Sequence, residues 1–74
     1  MIRVEMTDTF AGESNYSWVE RSEDRDSRDL KQAITRFKRD RGIKVRHRIT
    51  SDCGDFRAVD LQGTCIRIMA WVEY

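Results

Sequence analysis

Residues 26–50 constrain the fold most strongly, because they combine an amphipathic helix with a strand that follows it directly. Asp26 or Ser27 can accept hydrogen bonds from the free N–H groups of the first helical turn. Gly42 provides the left-handed residue with which helices commonly end. We therefore predict a helix over residues 27–41. Its apolar residues recur at the spacing of one helix face, and they are Leu30, Ala33, Ile34 and Phe37.

The rest of the chain alternates apolar and polar residues with the period of two that half-buried strands show. Before the helix, residues 2–7 and 16–21 read as two strands of a hairpin, joined by a turn-rich connection over residues 9–15. Residues 22–26 form a charged linker whose acids can cover basic surface elsewhere. After the helix, the alternation resumes at residues 43–49 and continues to the end of the chain.

Two turns set the register of the C-terminal strands. A three-residue loop ending at Gly54 pairs Ile49 with Arg57, and a tight turn at residues 62–63 pairs Val59 with Ile66. Both turns assign the same side chains to the two faces. The inner face comprises Ile43, Val45, Ile49, Val59, Leu61, Ile66, Ile68, Ala70 and Val72. The outer face comprises Lys44, Arg46, Arg48, Phe56, Ala58, Asp60, Arg67, Met69 and Trp71.

These patterns predict an α+β protein with a single domain over residues 1–74. We expect one antiparallel β-sheet of about five strands in the order ββαβββ, with the amphipathic helix packed on one face. A chain of 74 residues is near the lower limit for a self-sufficient core, and it leaves little room for a buried catalytic cleft.

The charge distribution is polarised. Residues 30–49 carry eight Lys and Arg against one acid, whereas residues 1–29 carry four Arg against eight acids, and the whole chain has a net charge of +1. The basic segment and the outer face of the sheet together form the candidate binding surface. Its predicted partner-binding residues are Arg36, Arg39, Lys44, Arg46, Arg48, Phe56, Arg67 and Trp71.

Three interpretations of this surface are open. The arginines can bind phosphates while Phe56 or Trp71 stacks on bases, as on open-sheet RNA-binding proteins. Alternatively, the aromatic residues and arginines form the centre of a protein–protein interface, for which these residue types are typical. In the third interpretation the N-terminal hairpin or a second subunit covers the face. The net charge of +1 favours protein over nucleic acid as the partner.

No catalytic motif is present, and we expect no enzyme activity and no cofactor. His47 lies on the predicted inner face of its strand, where a histidine more often packs in the core than takes part in catalysis. No Ser or Cys nucleophile is spaced to meet it. Asp52, Asp55 and Asp60 are turn and strand carboxylates of the kind that cap their own backbone. Two cysteines and one histidine are too few for the four Cys and His ligands of a structural zinc site. We predict that Cys53 and Cys65 are free thiols.

Residues 8–19 (DTFAGESNYSWV) resemble the opening of small uncharacterised proteins that phages and prophages of proteobacteria encode, which share the pattern D-T-[FY]-x-G-x-x-N-Y-x-W-V. Some phage accessory proteins of this size are anti-CRISPRs or other inhibitors of host defence that bind their target without catalysis. The resemblance implies a non-catalytic inhibitor that binds a bacterial CRISPR effector by protein–protein contact. A small nucleic-acid-binding regulator that uses the outer face is the alternative.

The expected cellular location and oligomeric state follow from the same resemblance and from composition. No apolar run approaches the length of a membrane span, and the N-terminal residues do not have the pattern of a signal peptide. We therefore expect a monomer or homodimer in the cytoplasm of the host bacterial cell, without contact to a membrane.

Overall fold

The computed structural model describes all 74 residues. It contains five strands and one helix in the predicted order ββαβββ. The elements are β1 (Ile2–Phe10), β2 (Glu13–Asp24), α1 (Leu30–Asp40), β3 (His47–Asp52), β4 (Phe56–Leu61) and β5 (Ile66–Val72).

The five strands form one antiparallel sheet in the spatial order β2-β1-β5-β4-β3, and α1 packs on one of its faces. The predicted α+β architecture is therefore confirmed. β1 pairs with β2 on one side and with β5 on the other, which joins the N-terminal hairpin to the C-terminal strands. As a consequence β2 and β3 are the two edge strands.

The core lies between α1 and the three central strands. The helix contributes the predicted stripe, and Ile34 and Phe37 belong to one buried cluster with Val59 and Ile68. Ile66 packs against that cluster from its partly buried position, as predicted. β1 adds its own alternating apolar residues, which are Ile2, Val4 and Met6.

The helix begins later than predicted, at Leu30, and its N-cap is Asp29 rather than Asp26 or Ser27. The Asp29 carboxylate accepts from the backbone N–H of Gln32 at 2.8 Å. Residues 26 and 27 are outside the helix because the Asp24 carboxylate holds both their backbone N–H groups, at 3.0 and 2.8 Å. The Asp24 carboxylate therefore binds the backbone N–H groups at the start of the predicted helix in a local turn.

The helix ends as predicted, at a glycine in the left-handed conformation. Gly42 has φ +68° and donates to the carbonyl of Arg39, while Ile43 donates to the carbonyl of Lys38 at 2.9 Å. These two bonds form a Schellman motif, which satisfies the last free carbonyls of the helix. The motif also returns Ile43 to the core, where it is partly buried.

The predicted register of the C-terminal strands is wrong by two residues. Val59 pairs with Ile68 rather than with Ile66, and Ile49 pairs with Val59 rather than with Arg57. The connection from β4 to β5 is four residues long, whereas the predicted turn has two. The Thr64 hydroxyl stabilises this longer connection by donating to the carbonyl of Leu61 at 2.8 Å. A shift of two leaves every side chain on its predicted face. The inner and outer sets of β4 and β5 are therefore correct.

β3 departs further from the prediction. It begins at His47 rather than at residue 43, and its register changes at Thr50, where the strand has a bulge. Val45 and Ile49 were assigned to the core, but they are 43% and 49% exposed. They are exposed because the helix packs on β5, β1 and β4, so that it does not cover the β3 edge.

Cys53 and Cys65 are both free and exposed, as predicted. The helix has neither the length nor the apolar character needed to cross a membrane.

Candidate functional site

The outer face of the sheet is the face opposite α1, and its character depends on the tip of the β1–β2 hairpin. Ala11 and Gly12 form a two-residue turn with φ of +54° and +83°. Positive φ at both positions is the requirement of a type I′ turn, whose twist matches that of the flanking strands. Arg67 on β5 donates to the carbonyl of Gly12 at 3.0 Å and to the Ser14 hydroxyl at 3.1 Å. The hairpin tip therefore lies against the outer face.

Next to this turn, β2 has a large bulge. Thr7 pairs with Val19 and Thr9 pairs with Ser14, so that residues 15–18 of β2 are all opposite Asp8 alone. The Asp8 carboxylate holds these residues, since it accepts from the Asn15 amide at 2.8 Å and from the Ser17 hydroxyl at 2.7 Å. It also accepts from the Ser17 backbone N–H at 3.0 Å. We refer to residues 15–18 as the Asp8-held bulge.

These hydrogen bonds stabilise the ionised form of the Asp8 carboxylate. Those from Asn15 and then from Ser17 lower the pKa of Asp8 to about 2. Asp8 is therefore negatively charged throughout the physiological range. Because the Asn15 and Ser17 donors lie in one short segment, this charge fixes the shape of the Asp8-held bulge.

The bulge carries Tyr16 in an unusual conformation. Tyr16 has φ +56°, which costs a residue with a Cβ about 1–2 kcal/mol. This backbone geometry brings the Tyr16 hydroxyl within 3.7 Å of the Met69 sulfur on the outer face. Strained non-glycine residues of this kind cluster at functional sites. The third interpretation of the outer face is thus correct in part, since the hairpin tip covers Met69, which is only 6% exposed.

A row of large side chains runs along the outer face from the bulge to the first residue of β4. Tyr16 contacts Met69, and Trp71 lies two residues beyond Met69 on the same strand and therefore on the same face. Trp71 is in turn opposite Phe56, with ring centroids 6.4 Å apart and planes tilted by 35°. We define Tyr16, Met69, Trp71 and Phe56 as the aromatic row. Its two predicted members, Phe56 and Trp71, are both partly exposed.

The charged residues around the aromatic row are ion-paired within the chain. On β1, Arg3 pairs with Glu73 at 2.6 Å. Glu5, also on β1, accepts from Arg21 at 2.7 Å.

Arg67 is paired in the same way, with Asp60 at 2.7 Å, and its side chain is only 14% exposed. The hydrogen bond that Arg67 donates to the Asp60 carboxylate raises the pKa of Arg67. Arg67 was predicted to bind a partner, but in this structure it ties the hairpin tip to β4. Of the predicted outer-face cations, Arg48 lies opposite Asp60 and has no acidic partner within 4.0 Å.

The predicted helix cations lie away from the aromatic row. Arg36 pairs with Asp24 and Asp26 at 3.6 and 3.7 Å, so that the acidic linker does cover basic surface, as anticipated. Arg39 lies near its neighbour Asp40 at 3.6 Å. The structure therefore divides the eight predicted residues into separate groups. One is the Phe56–Trp71 pair, and the others are the paired arginines and the unpaired cations Lys44, Arg46 and Arg48.

A concave region lies at the C-terminal end of α1, apart from the outer face. It has a volume of about 310 Å³ and is lined by Thr35, Lys38, Arg39, Gly42, Ile43, Lys44 and His47. Lys38 Nζ donates to the carbonyl of Val45 at 2.7 Å and lies 2.9 Å from His47 Nδ1. Burial, followed by the charges of Lys38 and Arg57, lowers the pKa of His47. Because an ammonium group only donates, His47 Nδ1 is the acceptor in its contact with Lys38.

The prediction from sequence missed the aromatic residues of the hairpin. Phe10, Tyr16 and Trp18 are 74%, 51% and 40% exposed, although large aromatic side chains usually seek burial. All three lie in the pattern that carries the resemblance, together with Asp8, which holds the bulge. The sequence signal for them was that pattern, which places three aromatic residues and Asp8 within eleven positions. In the structure the three aromatic side chains are exposed and Asp8 holds the bulge, so this segment forms surface rather than core.

No group of three or more His, Cys, Asp or Glu side chains is arranged to hold a metal ion. Comparisons of the chain with protein-family models, with curated proteins and with solved structures found no match.

Proposed function

We propose that this chain is a phage-type, non-catalytic inhibitor that binds a bacterial CRISPR effector, or another host-defence complex, by protein–protein contact. The working surface is the outer face of the sheet, with the aromatic row at its centre. Tyr16 and Trp71 are the anchors, since they are the two exposed or partly exposed members with the residue types that dominate interface energetics.

One observation carries the choice of a protein partner: the arginines nearest the aromatic row already have carboxylate partners. Arg3, Arg21 and Arg67 are each ion-paired at 2.7 Å or less. A nucleic-acid surface requires cations that are free to neutralise phosphates. An aromatic centre with a rim of satisfied polar groups is instead the composition of a protein interface.

The class of target comes from the resemblance of residues 8–19 to phage accessory proteins. The structure adds a physical reason why that segment suits a binding role. Asp8 holds the bulge before any partner arrives, so that little ordering of Tyr16 remains to be done on binding. Preorganisation of this kind improves affinity by reducing the entropic cost of association.

Affinity capture tests the proposal. The tagged chain is incubated with nuclease-treated and untreated lysates of bacteria that carry active CRISPR systems, and retained effector subunits are identified. We expect the same effector to be retained in both lysates, and Trp71→Ala to weaken its retention by about 2 kcal/mol or more. Lys31→Ala is the matched control, because Lys31 is exposed on α1 and has no ion-pair partner. Loss of capture after nuclease treatment would instead indicate binding through nucleic acid.

A further inference from the structure

Three exposed cations lie within five residues at the start of the β3 edge strand. Lys44, Arg46 and Arg48 are all exposed, and none has an acid within 4.0 Å. Residues 41–51 contain no acid at all. The flanking Asp40 and Asp52 are already near Arg39 and Arg57, at 3.6 and 3.0 Å. Asp60, which lies opposite Arg48, already pairs with Arg67 at 2.7 Å, so none of the three cations has an ion-pair partner within the chain.

The same edge presents apolar side chains on its other face. Val45 and Ile49 are exposed on the side of α1, since the helix does not extend to β3. Side chains alternate between faces within β3, so Arg48 lies on the outer face and Ile49 on the side of α1. Residues 44–46 precede the strand, and Lys44 lines the concave region at the C-terminal end of α1. Because β3 pairs only with β4, its outer side also has free backbone hydrogen-bonding groups.

We propose that this edge binds an extended segment of a partner protein in which acidic and apolar residues alternate. The segment adds to β3 as a sixth strand through backbone hydrogen bonds. Its acidic side chains lie against Arg46 and Arg48, and its apolar side chains lie against Val45 and Ile49. This site is separate from the aromatic row, and it does not depend on the identity of the target proposed above.

Charge selects this occupant over a second copy of the chain. Two β3 edges in antiparallel contact would place arginines of both copies close together, and like charges in cross-strand contact are destabilising. The exposed cations and the bulge at Thr50 are also devices by which natural edge strands avoid self-association. A partner strand with acidic side chains avoids this repulsion and forms cross-strand ion pairs with the arginines.

The experiment uses a synthetic peptide of seven residues in which Glu and Val alternate. Binding is measured by fluorescence anisotropy, and amide hydrogen exchange of residues 47–52 reports its position. We expect the peptide to slow exchange along β3 and the Arg46→Glu/Arg48→Glu variant to bind it about tenfold more weakly. Arg28→Glu/Lys31→Glu is the matched control, because it reverses two unpaired exposed cations elsewhere and is expected to leave peptide binding unchanged.

Four results would overturn the inference. One is equal binding of a peptide of the same composition in which Glu and Val are in separate blocks, since that would show attraction by charge alone. Another is undiminished peptide binding by Arg46→Glu/Arg48→Glu. The third is a mixed-sequence oligonucleotide that binds through Arg46 and Arg48 with sub-micromolar affinity at physiological salt. The fourth is a wild-type dimer that Arg48→Glu dissociates. Either of the last two would assign the edge to a different occupant.

Discussion

The Tyr16 hydroxyl lies 3.7 Å from the sulfur of Met69, a contact between the bulge in β2 and the centre of the outer face. Without this contact the outer face would consist of Trp71 and Phe56 at one end and charged residues at the other. With it, the aromatic row extends across the face, and part of the predicted turn-rich connection joins the candidate binding surface.

Replacement of Tyr16 by glycine separates binding from stability. Glycine adopts φ +56° without a Cβ clash, so Tyr16→Gly relieves about 1 kcal/mol of local strain, which offsets part of the lost contact with Met69. We expect a melting temperature within a few degrees of wild type, and target binding weaker by about 2 kcal/mol. Thermal melts and titration of the captured target measure the two effects. Tyr16→Gly that binds as tightly as wild type would exclude Tyr16 as an anchor.

Removal of the Asp8 carboxylate should loosen the bulge. Asp8→Ala eliminates the acceptor for Asn15 and Ser17, so we expect faster hydrogen exchange at the Ser17 amide while the amide of buried Ile68 is unaffected. Because the pKa of Asp8 is depressed to about 2, the stability that its charge contributes is present above pH 3.8 and is lost as the pH falls through about 2. An unchanged Ser17 exchange rate in Asp8→Ala would contradict this role.

The helix stripe supplies much of the core, and Phe37 is its largest member. Phe37 is 3% exposed, and the guanidinium of Arg41 lies over its ring at 3.6 Å. We expect Phe37→Ala to cost about 3–5 kcal/mol, which is enough to unfold a domain of this size. A thermal melt checks this directly. The exposed helix position Lys31→Ala serves as the control, and a Phe37→Ala melt close to wild type would show that the core lies elsewhere.

His47 should make the fold less stable in mild acid. Its pKa is lowered from 6.5, chiefly by burial and then by Lys38, so the folded chain binds fewer protons than the unfolded chain below that pH. Stability is therefore fully present above pH 6.5 and declines as the pH falls through the folded pKa. An NMR titration of this single histidine gives the pKa. Lys38→Met should raise it, and an unchanged value would show that Lys38 does not act on His47.

The faces of β4 and β5 were predictable because the alternation of side chains has a period of two. The actual register differs by two residues, so Val59 and Ile68 remain in the core and Met69 and Trp71 remain on the outer face. The helix was predictable for a similar reason, since its stripe and its terminal glycine are local signals. Only its first residues differ, because Asp24 competes for their backbone donors.

The site could not be predicted to the same extent, because it depends on contacts between distant residues. The alternation in β2 gives no sign that four of its residues are opposite Asp8 alone, and this bulge decides where Tyr16 lies. Likewise, Arg67 reads as an exposed cation in the sequence, whereas Asp60 and the hairpin tip enclose it in the structure. Exposure of Ile49 depends on how far α1 reaches across the sheet, and the apolar pattern does not encode that reach.

The proposed inhibition of a CRISPR effector can be measured as phage growth in an interference assay. Bacteria with an active CRISPR system that targets a phage are made to express the wild-type chain, Trp71→Ala or the control Lys31→Ala, each confirmed to be folded, and plaques are counted. The account predicts that wild type and Lys31→Ala restore phage growth in at least one type of CRISPR system and that Trp71→Ala does not. Restoration by Trp71→Ala to the wild-type level, or no restoration by wild type in any system tested, would contradict it.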